Sequence, residues 1–360
     1  MDICRIPSNS GVSGVGARVA TYMQACTAFI AVLLAIFYRF DFRPTKIQEH
    51  RTDLLSKLEG TLPGIRMTIF NASVSIIVSP IVLSFSPVGL SPYHAIIAQN
   101  IAQLYILSLL WIAMYSVVVR FEQYFSGLDP LSPKKGPVSR WTLAKGILDD
   151  TKFFAINTTL AGGFGLWFWS DQRRFEGYSE GSECISQIMY WFFIPIDSHN
   201  IRLRDFSLFH RALLAFPLTA PLAAVLLSVI LVAPFFLLRL VFWRTPGSSS
   251  PGIATIGLFS ACAAYIFSVS FYVYSTEQTI RLNHAVVDGG EEIWIFGQIL
   301  TLFSALMSLV MLLSNLWRLL SVLWGKTTGE NEEKRCDLCH SKHEAFINAT
   351  SPRSTTSVTD

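Results

Sequence analysis

The sequence predicts an all-α polytopic membrane protein, a bundle of about seven transmembrane helices with the N-terminus outside or lumenal and the C-terminus cytosolic. Three observations carry this expectation. Of 360 residues, 51% are apolar and only 15% charged, whereas soluble domains are about 25% charged. The charge shortage is gathered into long apolar blocks. The stretch LLAFPLTAPLAAVLLSVILVAPFFLLRLVFW, residues 213–243, holds a single charge in 31 residues, and about 20 apolar residues suffice to cross a bilayer. Finally, Lys and Arg are distributed unevenly between alternate flanks. One set of flanks carries twenty of the 28 and the other eight, and the richer set is expected on the cytosolic side.

Residues 1–18 form an outer segment without a cleavage site of small residues, so the first apolar block, 19–38, reads as a retained span. The next connection, PTKIQEHRTDLLSKLEG, is patterned as an amphipathic helix over 45–59. Thr45 and Gln48 stand at capping-box spacing after Pro44, and Ile47, Leu54, Leu55 and Leu58 share one face. Gly60 is expected to end it. Such a helix lies on the membrane surface; the sharper alternative is a docking helix for a cytosolic partner or a second copy. Spans two and three follow at 66–86 and 93–118. Span four, 153–170, is short and rich in glycine. ISQIMYWFFIPI, 185–196, is too short to span and reads as re-entrant or interfacial. Span five, 212–243, is too long for a straight crossing, and Pro217, Pro221 and Pro234 are expected to kink or tilt it. Spans six and seven are placed at 253–275 and 293–322. From 325 to 360 the apolar content disappears and a disordered cytosolic tail is expected.

The chemistry-bearing residues are few. Cys4 and Cys184 both fall on the outer side, where disulfides form, and are expected to pair; two free thiols are the alternative. Cys26 and Cys262 lie inside spans as small apolar residues. The tail stretch EKRCDLCHSKH contains C-x-x-C-H, but a short cytosolic tail offers no haem pocket. Cys336, Cys339, His340 and His343 lack the distant second ligand pair of a zinc site. A solvated thiol pair is the leading reading, and no cofactor or metal is expected. Asp149 and Asp150, at the mouth of span four, are the weak candidates for a Mg²⁺-diphosphate site, and a solvated helix start is favoured. Arg120 and Glu122 close span three.

Polar residues within spans carry more weight, because lipid makes them costly. Asn71, Gln99, Asn100, Gln103, Asn157, Gln298 and Asn315 qualify, and Gln99 and Gln103 share a face. All are neutral amides, which more often join helices than line a transport path. Gly257, Ser260, Ala261, Ala264 and Ser268 form a small-residue stripe suited to close helix contact. On the outer side, Glu277, Asp288, Glu291 and Glu292 are expected to pair with Arg173, Arg174, Arg202 and Arg204.

Two stretches, CRIPSNSGVSGVGARVATYMQ (4–24) and STEQTIRLNHAVVDGGEEIWIFGQILTLF (275–303), resemble a group of multi-span membrane proteins of filamentous fungi. Cys4, Ser13-Gly14-x-Gly16-x-Arg18, Tyr22, Gln24, Glu277, Thr279, Ile280, Asn283, Trp294, Phe296, Gly297 and Gln298 carry the resemblance. It implies a lineage and a multi-span fold, and no catalytic residues.

Seven spans with an outer N-terminus is also the plan of G-protein-coupled receptors. Span three, however, ends in VVVRFEQY without an acid-Arg-aromatic triplet, and span seven has no proline. A receptor-like sensor is the leading functional expectation, resting on topology. A transporter or channel and a membrane scaffold are the alternatives, and an enzyme acting on lipid or isoprenoid is the least favoured. The lipid bilayer is the expected environment, in the plasma membrane or an endomembrane. Nothing points to nucleic acid.

Overall fold

The computed structural model describes residues 6–40, 48–85, 89–126, 140–172, 188–198, 200–219, 252–287 and 298–317, with two isolated positions at 222 and 226. Residues Met1–Leu312 form one compact unit. The described part of the second, Leu313–Asp360, is the last turn of a helix, where Asn315 lies.

A single helical turn, α1 (Ser10–Ser13), leads into α2 (Val15–Phe40). Then come α3 (Gln48–Ser84), α4 (Pro92–Ser126) and α5 (Arg140–Ser170). A small hairpin, β1 (Met189–Phe192) and β2 (Ile194–Asp197), precedes α6 (Ile201–Ala215) and α7 (Gly252–Asn283). The last helix, α8, is Gln298–Trp317. Stretches of four helices, Ser10–Ile36, Leu55–Ser84, Pro92–Phe121 and Gln298–Trp317, are long and apolar enough to cross a membrane. The sequence-predicted spans four and six fall on the long helices α5 and α7.

α4 is the central helix. Its apolar stretch is 83% buried, against 17% for α8. α2, α3, α5 and α7 all pack on it. Its interior face mixes Ile96, Ile97, Ile101, Leu104 and Leu109 with His94, Gln99, Asn100, Gln103 and Ser108, all buried. The outward faces are apolar: Val78, Val82, Ile156, Leu160, Phe267, Leu300 and Phe303 are exposed. An apolar rim around a partly polar core suits a lipid environment, where backbone groups must be satisfied within each helix.

Four sequence expectations change here. Residues 48–59 are not a separate surface helix ending at Gly60. They run without a break into the second span, so that α3 has 37 residues and contains Pro63 and Pro80. At about 1.5 Å per residue it reaches roughly 55 Å, which exceeds the hydrocarbon core. A Cβ at Gly60 would meet nothing within 4 Å, and the helix continues because Leu58, Leu62 and Ile65 bury one stripe across the glycine. The expected capping residue Thr45 lies outside the described residues.

Secondly, 185–196 forms the two-stranded hairpin over its described part. The chain reverses at Phe193, whose φ is 62°, a conformation that costs a non-glycine residue about 1–2 kcal/mol. Thirdly, the beginning of the predicted span five belongs to α6. Asn200 caps that helix by accepting from the amides of Arg202 and Leu203, and it ends at Ala215 because Pro217 forces Phe216 into an extended conformation (ψ 117°). Residues 227–243 lie outside the described residues. Finally, the small-residue stripe of α7 is not a tight seam. Ala264 is exposed and Ala261 half-buried; the packed face is Tyr265, Ser275, Thr276, Thr279 and Asn283. The surroundings of Gly257 and Ser260 lie outside the description.

Two glycines explain the composition of α5. A Cβ on Gly162 would stand 2.7 Å from Ala215 Cα and from Leu214 C, in the backbone of α6. A Cβ on Gly165 would meet the Arg211 side chain at 2.6 Å. The glycine-rich segment is therefore the seat of α6.

Candidate functional site: a polar seam at the N-terminal end of the bundle

The N-terminus, the ends of α3, α5 and α7 and the beginnings of α4, α6 and α8 meet at one end of the bundle. Gln298, the first residue of α8, accepts from the Gly16 amide at 3.1 Å and donates to the Ser10 carbonyl. A Cβ at Gly14 would overlap the Gln298 amide, so the Ser13-Gly14-x-Gly16 run is shaped by this close approach. Ile6 pairs with the chain after α7, its amide donating to Val286 O at 2.7 Å. His94 Nε2 accepts from the Asn9 amide at 3.0 Å.

Below this lies an ionic triad. Arg18 pairs with Glu277 at 2.5 Å, and the Tyr22 hydroxyl donates to the other Glu277 oxygen at 2.7 Å. Glu277 was expected in a loop, pairing with arginines of the fourth connection. It sits instead within α7, because that helix runs on to Asn283, and its partner comes from α2. Arg204 has a different task. It donates to the carbonyls of Trp169 and Ser170 that end α5, as a basic residue at a helix C-terminus does. Arg173, Arg174, Asp288, Glu291 and Glu292 lie outside the described residues.

The hairpin is held by a ladder that the sequence reading missed. Asn283 accepts from the Met189 amide at 3.0 Å and donates to the Met189 carbonyl at 2.7 Å. Thr279 Oγ1 accepts from the Trp191 amide at 3.2 Å, and Ser275 donates to the Trp191 carbonyl at 2.6 Å. Ser275, Thr279 and Asn283 are spaced by four. Four helical residues rise about 6 Å, and two strand residues about 6.6 Å. The helix thus stands in for a missing strand and covers the β1 edge. The spacing was present in the sequence as polar residues at i, i+4 and i+8, but Thr276, Glu277, Gln278 and Arg281 between them masked it.

Of the intramembrane amides, Gln99 accepts from the Trp169 indole at 3.0 Å, and its Nε2 has no partner. Asn100 accepts from Tyr190 at 3.4 Å and donates to Ser275 at 3.5 Å. Among the described residues, Gln103 Nε2 and both side-chain polar atoms of the fully buried Gln24 are also unpartnered. Asn157 accepts from Ser73 at 2.7 Å. Asn71 departs from the expectation of helix glue: it is exposed on α3.

Where α5, α6, α7 and the hairpin meet stands Arg211. It is 7% exposed, and its Nε and Nη1 have no hydrogen-bond partner among the described residues. The groups acting on it electrostatically are the phenols of Tyr190 and Tyr272. Burial, then the neighbouring Tyr272, push the Tyr190 phenol up to about 12, so it remains a neutral donor. The sequence reading counted Arg211 among flanking charges and did not single it out.

At the opposite end two carboxylates each tie three helices. Glu59 accepts from Arg39 and from Tyr115, both at 2.6 Å. Asp150 pairs with Arg120 at 2.9 Å and Arg66 at 3.7 Å. Asp149 goes to Lys152 at 3.6 Å. The paired carboxylates considered for Mg²⁺ are thus engaged by different cations. Among the described residues no group of three His, Cys, Asp or Glu side chains could hold a metal ion. The side chain of Glu122, and Cys4, Cys184, Cys336 and Cys339, lie outside the described residues.

No family model, no curated protein and no solved structure matches the chain.

Proposed function

We propose that the chain is a receptor-like membrane sensor with seven spans, its N-terminus outside or lumenal and its tail cytosolic. The observation that carries this reading is the continuity of α4, which is anchored at both ends. Near its first turns it holds the N-terminal segment, α5 and the hairpin through His94, Gln99 and Asn100. At its far end it holds α3 and α5 through Tyr115 and Arg120. A rigid element fixed to an outer structure and to an inner ionic clamp is what transmission across a bilayer requires. The seven-span count adds the span expected from sequence at 212–243 to the long helices α2, α3, α4, α5, α7 and α8. The surplus of Lys and Arg on the far side supports the orientation.

The test is to release the inner clamp and watch the outer structure. In Asp150→Asn, amide hydrogen exchange should rise at the ends of α3–α5 and also at hairpin residues 189–197. A change confined to the inner ends would refute coupling and leave a scaffold. Transport is the second reading, favoured by the unpartnered Gln24 and Gln103; solute flux into proteoliposomes would establish it.

A further inference from the structure

We propose that Arg211 is the anion-binding residue of a site beneath the α6–hairpin surface, and that its ligand is the carboxylate or phosphate headgroup of an acyl-chain amphiphile. The proposal rests on the chain being a membrane-embedded bundle, and not on signalling through it.

A buried guanidinium with two unpartnered nitrogens is expensive unless an anion meets it. No described carboxylate pairs with Arg211, and the nearby groups acting on it, Tyr190 and Tyr272, are phenols. The fold has nevertheless made room for this side chain, because any Cβ at Gly165 would strike its Cδ, Cγ and Nε at 2.6–3.0 Å. A planar cation that no described carboxylate pairs with is complementary to an oxyanion, which accepts and does not donate. Guanidinium geometry suits the two oxygens of a carboxylate or phosphate.

The surroundings favour an amphiphile over a free ion. On α6, Phe206, Phe209 and Leu213 are 54%, 65% and 47% exposed, and on the hairpin Phe193 and Ile194 are 60% and 62% exposed. Behind them lies an aromatic wall: Phe192 packs on Phe206 at 5.8 Å, Phe193 on Phe271 at 4.6 Å and Trp191 on Tyr274 at 4.7 Å between centroids. An acyl chain would lie along this apolar surface while its headgroup reached Arg211.

The experiment uses the full chain in nanodiscs of neutral phosphatidylcholine. Palmitate and phosphatidic acid are the amphiphile probes, and acetate and inorganic phosphate the free-ion probes. Thermal stability and binding of a nitroxide-labelled stearate, by its immobilised spectrum, are read for wild type, Arg211→Met and Arg211→Lys. The amphiphiles should raise the wild-type midpoint and displace the label. Arg211→Met should weaken label binding by about tenfold or more, as loss of a charged hydrogen-bonding partner does. It should also be at least as stable as wild type without ligand, because an unmatched charge has been removed. Arg211→Lys should retain part of the binding. Stabilisation by acetate or phosphate equal to that by the amphiphiles would overturn the acyl-chain part of the proposal. No stabilisation by any anion would overturn it entirely, whether or not the Met variant folds. Label binding unchanged in Arg211→Met would place the amphiphile elsewhere.

Discussion

Adjacent glycines on α5 should respond oppositely to alanine. A Cβ at residue 162 would lie 2.7 Å from two backbone carbons of α6, against 3.4 Å or more in ordinary contact. The shortfall at these carbons is about 0.7 Å, and the Ala215 backbone nitrogen stands closer still. Backbone atoms cannot rotate aside as a side chain can, so α6 must move bodily or α5 must bend. Overpacking of this kind costs about 1–3 kcal/mol, and rigid obstacles put Gly162→Ala toward the upper figure. Removing a helical glycine returns about 0.5–1 kcal/mol. The net loss should be about 2 kcal/mol. At Gly163 a Cβ would meet nothing within 4 Å, so only the helix gain remains and Gly163→Ala should be neutral or up to about 1 kcal/mol more stable. The assay is unfolding of the two variants in the same neutral detergent, followed by far-UV circular dichroism. Equal stabilities would refute the seating of α6 on Gly162. An exchange map in which Gly162→Ala loosens α6 and leaves the α2–α4 contact intact would confirm it.

Two other expectations are more local. Asn283→Leu removes both hydrogen bonds to Met189 and leaves that residue's amide unmatched, so hydrogen exchange at Met189 and Trp191 should rise by at least tenfold, as loss of about 1.4 kcal/mol or more would produce. Unchanged exchange there would refute the helix-edge ladder. His210, stacked on Phe206, has its imidazole held down to about 4, chiefly by burial and secondarily by Arg211. Its folded value is below the unfolded 6.5, so the unfolded chain binds the proton more readily. Its contribution should be full above about pH 6.5 and lost as pH falls toward 4. Thermal midpoints should drop less steeply over that window in His210→Gln than in wild type, and parallel curves would refute the assignment.

Much of the architecture was open to reading from the chain alone, because a bilayer imposes long apolar blocks that stand out against any other composition. The stretches 19–38 and 93–118 lie within described helices, 66–86 overlaps α3 as far as Ser84, and 293–322 overlaps α8. The amides Gln99, Asn100, Gln103, Asn157 and Gln298 were recognisable as buried, since lipid tolerates them poorly. Their partners were not recognisable. Gln298 meets Gly16 across 282 residues and Glu277 meets Arg18 across 259, and periodicity along a chain says nothing about separations of that size. Two stretches far apart in the chain thus meet: Gly16, Arg18 and Tyr22 on one side, Glu277 and Gln298 on the other.

The boundaries misread from sequence share a cause. Gly60 and Pro63 are stop signals in isolation, yet α3 passes through both because flanking leucines and isoleucines bury a stripe that local propensity cannot outweigh. Glycines on α5 weaken a span by composition and strengthen it by admitting α6. Arg211 carried no motif at all. Its sequence neighbours made it one more flanking charge, and only the packing of four elements around it shows a cation that no described carboxylate pairs with. Composition therefore determined that the chain forms helices long and apolar enough to cross a membrane, since solvent selects for hydropathy residue by residue. Which polar groups meet, and which are left unmet, was decided by tertiary structure, since it is a property of pairs.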